Sequence, residues 1–199
     1  MRVIGLTGNI ASGKSSVSRL LAARGVPIID ADVLARDAVA PSTPGHAAIT
    51  ARWGAAVVAP DGTIDRAALR HRVFGDPAEL AALNAIVHPD VARRRHARVD
   101  AARASGARIV VCDIPLLFET GLERDCDVVL LVDAPEALRR ERLMRDRALT
   151  AEQATAMIRS QMPSELKRAR ADYVIENTGT TEELRHRVDD VWSRIAAET

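Results

Sequence analysis

The 199-residue chain is 47% hydrophobic and 28% charged, the proportions of a globular domain rather than a disordered or fibrous chain. A net charge of +1 supplies no global attraction to nucleic acid or an anionic membrane, and 3% aromatic content leaves few platforms for stacking bases. Neither kind of partner is expected, and one sizeable domain accounts for the length.

The chain opens with "RVIGLT", a short buried-strand pattern, followed by a glycine loop and by "KSSVSRLLAARG", whose apolar residues recur at helical spacing up to Gly25. "VPIID" reads as a second strand, "ARIVVCDIPLLF" as a third, "CDVVLLVDAP" as a fourth and "ADYVIEN" as a fifth. Each is rich in Val, Ile and Leu without alternation, as strands covered on both faces are, which predicts a parallel sheet with helices on both sides. Residues of about 33–106 are too many for a simple crossover. "DRAALRHRVF", "PAELAALNAIVH" and "PDVARRRHARVDAARASG" predict separate helices there, punctuated by Gly75, Asp76, Pro77 and Pro89. An arginine-rich helical stretch, about 135–170, separates the fourth and fifth strands and is a candidate lid. The expected organisation is one domain, 1–199, with its core in 1–32, 107–134 and 171–199.

Gly8, Gly13, Lys14 and Ser15 satisfy the spacing G-x-x-x-x-G-K-[ST] between a strand and a helix. Glycines let consecutive backbone amides close on an anion, and the helix N-terminus adds its positive end. Lys14 is placed to reach the β- and γ-phosphates of ATP, and the Ser15 hydroxyl to ligate Mg²⁺. A strand-end carboxylate usually assists such a metal; Asp113 is preferred to Asp133, although either could equally form a turn or cap.

"IIDAD" puts Asp30 and Asp32 two residues apart. If the chain is still extended, both point to one face at the carboxyl end of the second strand, where open α/β sheets bind ligands. A carboxylate beside another holds a proton more readily, which makes Asp32 the candidate general base. The competing reading makes Asp32 a helix cap with Arg36 as ion-pair partner one turn on. Arg139, Arg142 and Arg145 share a face of the candidate lid, with Arg140 and Arg147 beside them; one or two are expected to neutralise a transferring phosphoryl group. His88, before Pro89, is placed at a helix end.

Along nearly the whole chain these motifs resemble the dephospho-CoA kinases: "GLTGNIASGKSSV", "IIDADVLAR", "DRAALRHRVF", "LNAIVHPDV", "IPLLFE", "RERLMRD", "SQM" and "ADYVIENTGT". The resemblance implies a P-loop NTPase fold of three-layer α/β type, with a mostly parallel five-stranded sheet, a helical acceptor-binding insertion and a helical lid. It implies transfer of the ATP γ-phosphate to the ribose 3′-hydroxyl of dephospho-CoA, the last step of coenzyme A biosynthesis. Gly8, Ala11, Ser12, Gly13, Lys14, Ser15 and Ser16 would hold the nucleotide, and Ser15 and Asp113 the metal. Asp32, Arg36, His88, Pro89, Leu116 and Glu119 would shape the acceptor pocket, with Arg140 or Arg142 as the catalytic lid arginine. The family usually has Gly where Ala11 stands and Thr where Ser16 stands. The alternatives are a kinase of another small metabolite, such as a nucleoside monophosphate, or a regulatory P-loop NTPase. Cys112 and Cys126 fit neither a zinc nor a disulfide spacing, and no signal peptide or membrane span is read, so a cytoplasmic monomer or small homo-oligomer is expected.

Overall fold

A computed structural model describes residues 1–198. In chain order it holds β1 (Arg2–Gly8), α1 (Lys14–Ala22), β2 (Ile28–Asp30), α2 (Ala31–Ala38), α3 (Pro44–Trp53), α4 (Arg66–Val73) and α5 (Pro77–Ala104). Then come β3 (Ile109–Asp113), β4 (Val128–Asp133), α6 (Glu136–Arg147), α7 (Ala151–Arg159), α8 (Ser164–Arg168), β5 (Tyr173–Glu176) and α9 (Thr181–Ala197). The strands form one sheet in the order β2-β3-β1-β4-β5. β1 runs parallel to β3 and to β4, and β4 parallel to β5. This is the expected α/β fold.

The apolar runs explain the sheet. Every residue of β4 is buried, as are six of the seven in β1. Ile4, Leu6, Leu130, Val132 and Ile175 join Val17 and Leu21 of α1 and Leu184, Val188 and Ile195 of α9 in one core cluster. In this cluster Val17 and Leu21 of α1 and Leu184 and Val188 of α9 are each four apart, so one face of each helix is covered. Register aligns Leu6 with Asp113, Gly8 with Val132 and Asp133 with Glu176. Carboxylates therefore cluster at the carboxyl edge, where β1 delivers the glycine loop. The reading by apolar runs does not mark α9, whose start is instead signalled by a capping box between Thr180 and Glu183.

Two expectations are corrected. The third strand ends at Asp113 rather than running on to Phe118. The Ile114 amide still donates to the Leu6 carbonyl, at 2.9 Å, but Pro115 has no N–H for the ladder and the chain turns out of the sheet. Pro89 does not end a helix either, because α5 runs through it. The proline withholds an amide from the Ala85 carbonyl, roughly a 3 kcal/mol penalty in a helix interior. Packing outweighs it: Leu83, Ile86 and Val87 sit against the local core before the proline, and Val99 is buried after it.

The structure divides into two compact units, residues 1–29 with 101 onward, and Asp30–Asp100. The second has its own core of Ile49, Trp53, Val57, Ile64, Leu69 and Val73.

Candidate active site

β1 ends at Gly8, where a Cβ would lie 2.6 Å from both the Ser12 hydroxyl and the Val132 carbonyl oxygen. Three residues later the backbone turns left-handed at Ala11 (φ 59°), and again at Gly13 (φ 94°). A Cβ on Gly13 would meet the Asn177 amide nitrogen at 2.0 Å, and that same amide donates to the Ser12 carbonyl at 2.8 Å. Ala11, the residue expected to be glycine, thus takes the left-handed conformation at a cost of about 1–2 kcal/mol. Its methyl packs on Leu143, Ala154 and Ile158 of α6 and α7. Among the described residues the backbone amides of Ala11, Gly13, Lys14 and Ser15 have no protein acceptor, and the Ser12 hydroxyl is buried without a partner. These unpartnered amides, set around left-handed Ala11 and Gly13 and opening onto the first turn of α1, form an anion nest, while the Ser12 amide between them donates to the Asn9 carbonyl at 3.0 Å. Ser16 is bonded within the first turn of α1. Its amide donates back to the Gly13 carbonyl at 2.9 Å and its hydroxyl accepts from Arg19 at 3.2 Å.

The Lys14 ammonium pairs with the carboxylate of Asp113, a residue only 3% exposed at the end of β3. Asp133, the other strand-end acid, accepts from the Ala134 amide and from Arg168, both at 2.9 Å. Arg168 also reaches Glu176 at 2.7 Å, and its hydrogen bonds to Asp133 and then Glu176 raise the guanidinium pKa. Asp133 is therefore committed to an arginine, whereas Asp113 faces the loop lysine. Among the described residues no group of three or more His, Cys, Asp or Glu side chains could hold a metal alone. The exposed Ser15 hydroxyl and the Asp113 carboxylate are hard oxygen donors of the kind Mg²⁺ takes when phosphate oxygens complete its shell.

The stretch between β4 and β5 grips the outside of the loop. The Asn9 side-chain amide donates to the Met162 carbonyl (3.2 Å) and the Ser164 hydroxyl (3.0 Å), and the Ile10 amide donates to the Gln161 side chain (2.7 Å). Arg142 donates to the carbonyls of Ala11 (3.1 Å), Ser12 (3.5 Å) and Asn177 (3.0 Å). Burial, with Arg145 nearby, lowers its pKa, and it remains charged as guanidinium groups do. Arg139 is buried, donating to the Ala134 carbonyl (3.0 Å) and the Ser164 hydroxyl (3.3 Å), and burial lowers its pKa as well. Arg145 binds its neighbour Asp146 at 2.7 Å. The shared face of Arg139, Arg142 and Arg145 thus reduces to two inward arginines, and Arg140 is left exposed with no protein partner among the described residues. Asn9 and Asn177, each just after a strand, and Gln161, just after α7, were not singled out as site residues, since a lone polar residue beyond the end of an element carries no spacing signal.

The expected acceptor residues divide between the two units. In the first, Leu116 is 44% exposed. Glu119 accepts from the Met162 amide at 3.1 Å and lies 2.8 Å from the wholly buried Lys167 ammonium. The angle there is too poor for a hydrogen bond, so the contact is an ion pair. In the second, the chain is already helical at Ala31, so Asp30 and Asp32 do not share a strand face. Asp30 is the cap, accepting from the amides of Asp32 (2.8 Å) and Val33 (3.1 Å). Asp32 is exposed, and its carboxylate has no protein partner among the described residues. Arg36 donates to the Asp32 backbone carbonyl, at 3.1 Å, instead of pairing with its carboxylate. His88 and Pro89 are exposed residues in the interior of α5.

A parallel sheet with this strand order, a glycine loop at the carboxyl end of its central strand and a helical stretch seated on the loop define a P-loop kinase. The family model described as dephospho-CoA kinase matches residues 2–183. A dephospho-CoA kinase of Thermobifida fusca is 48% identical over 195 residues, 98% of this chain and 96% of that one. One of Anaeromyxobacter dehalogenans is 50% identical over 191 residues, 95% and 90% of the two chains. A solved Thermus thermophilus structure is similar with a TM-score of 0.82 and 41% identity, covering 97% of each chain. The chain belongs to the dephospho-CoA kinase family.

Proposed function

We propose that this kinase transfers the γ-phosphoryl group of ATP to the ribose 3′-hydroxyl of dephospho-CoA. The observation that carries the donor half is the nest of four unpartnered amides beside Lys14. The phosphates of ATP settle on these amides and the N-terminus of α1, and Lys14 exchanges its contact with Asp113 for the β- and γ-phosphate oxygens. The Ser15 hydroxyl and Asp113 would hold Mg²⁺, which when bound neutralises charge on those oxygens. Asp32 orients the acceptor hydroxyl and takes its proton as the ribose oxygen attacks the γ-phosphorus; the bond to the β,γ-bridging oxygen breaks and ADP leaves. Asp32 is available because Asp30 serves as the cap. Charge spreading over the transferring group is met by Lys14 and by Arg140, an arginine of α6 without a competing protein partner among the described residues.

The insertion at about 33–106, with Arg36, His88 and Pro89, and the 114–119 segment with Leu116 and Glu119 select the acceptor, and the stretch at about 135–170 serves as the lid. All three belong to one kinase domain. The enzyme works in the cytoplasm as a monomer or small homo-oligomer, without nucleic-acid or membrane partners. The net charge of +1 supports that reading, and no helix among the described residues is long and apolar enough to cross a membrane. ADP release with dephospho-CoA, AMP, CMP, shikimate and gluconate tests the assignment. Turnover should be confined to dephospho-CoA, and turnover of another acceptor in its place would overturn it.

A further inference from the structure

Arg142 approaches the nucleotide loop from behind. Its guanidinium donates to the carbonyls of Ala11 and Ser12 and, across the loop, of Asn177, while Asn177 itself donates to the Ser12 carbonyl. The Ser12 carbonyl shares its peptide with the unpartnered Gly13 amide, and the Ala11 carbonyl shares its own with the Ser12 amide, which the Asn9 carbonyl holds at 3.0 Å. Ala11 needs such a restraint. Left-handed backbone is disfavoured roughly five- to thirtyfold for a residue bearing a Cβ, whereas glycine adopts it freely. Charge-assisted bonds to consecutive carbonyls are strong enough to offset a bias of that size.

We propose that Arg142 is a positioning residue for the nucleotide rather than a catalytic lid arginine. It holds Ala11 in the left-handed turn and fixes the Ser12–Gly13 peptide so that the unpartnered Gly13 amide faces the phosphates before ATP arrives. Its planar fork spreads two nitrogens so that one reaches the Ala11 carbonyl and the other the Asn177 carbonyl, whereas a lysine presents a single compact ammonium. The inference rests on the loop binding ATP, so the first readout is ATP affinity, measured calorimetrically and independently of turnover.

Arg142→Ala should weaken ATP binding and raise the KM for ATP about tenfold, with kcat at saturation within threefold of the parent. Arg142→Lys, which keeps the charge and the stem, should fall between the two and guards against a folding defect. The distinguishing variant is Ala11→Gly. In that background the Arg142→Ala penalty on ATP affinity should shrink at least threefold, because glycine takes the left-handed turn unaided. An unchanged KM with collapsed kcat would overturn the proposal in favour of direct action on the phosphoryl group. An affinity penalty identical in the two backgrounds would also overturn it, by showing that Arg142 does not act through Ala11. If the parent protein fails to bind ATP, the proposed donor site itself is wrong.

Discussion

The glycine loop and the proposed acceptor residues of the second unit present their functional groups in opposite ways. In the loop the functional groups are backbone amides, and side chains from distant segments hold them. Asn9 is anchored to Met162 and Ser164, Ile10 to Gln161, and Ser12 to Arg142 and Asn177. In the second unit the candidate groups are exposed side chains on helices. Among the described residues Arg36 makes one local bond, and Asp32 and His88 make none with their side chains. A backbone site must be rigid before its ligand arrives, whereas side chains on helices can be ordered by the ligand itself. The loop should therefore respond to substitution in stability as well as activity, and the acceptor residues in activity alone.

The sharpest test of that contrast is Lys14→Ala, which should reduce kcat/KM about a thousandfold and also lower the thermal midpoint, because it removes the ammonium that pairs with the buried Asp113 carboxylate. Adding Asp113→Asn should restore the thermal midpoint but not the activity. Asp32→Asn comes next: turnover should fall roughly a hundredfold with ATP affinity and thermal midpoint unchanged, and a lost midpoint would make Asp32 part of the fold. Gly13→Ala should cost about 2–3 kcal/mol of stability in denaturant titration, from its φ of 94° and the collision with Asn177.

The smallest effect belongs to the second unit. Hydrogen bonds from Arg52 and then Trp53 hold the Glu79 carboxyl below its ordinary value of 4.5. A lowered folded pKa adds stability that is complete above the ordinary value and is lost as pH falls through the lowered one. Acid titration followed by tryptophan fluorescence should show a shallow destabilisation below about pH 4.5, which Glu79→Gln removes.

The sheet was readable because its strands are continuous apolar runs, and the loop because its glycines sit at fixed intervals. Ala11, Gly13, Lys14 and Ser15 came together as their spacing required, since the strand, turn and helix are consecutive in the chain. What spacing does not record is long-range partnership. Asn177 lies 165 residues from the carbonyl it binds, and Asp113 is 99 residues from Lys14. The Asp30 and Asp32 pattern misled for a local reason: alternation implies a shared face only while the chain stays extended, and the cap formed by Asp30 starts the helix one residue too early for that. Pro89 misled because packing on both sides of it overrode a helix-breaking residue.

The basic residues themselves are lopsided. Of 28 lysines and arginines only two, Lys14 and Lys167, are lysines. Lys167 is wholly buried against Glu119, and Lys14 keeps 17% of its side chain exposed at the mouth of the nest. The folded protein thus offers amine-directed chemistry just one side chain, the one the nucleotide would cover. Acylation of Lys14, or protection from it, becomes a label-based gauge of loop occupancy that no surface lysine obscures.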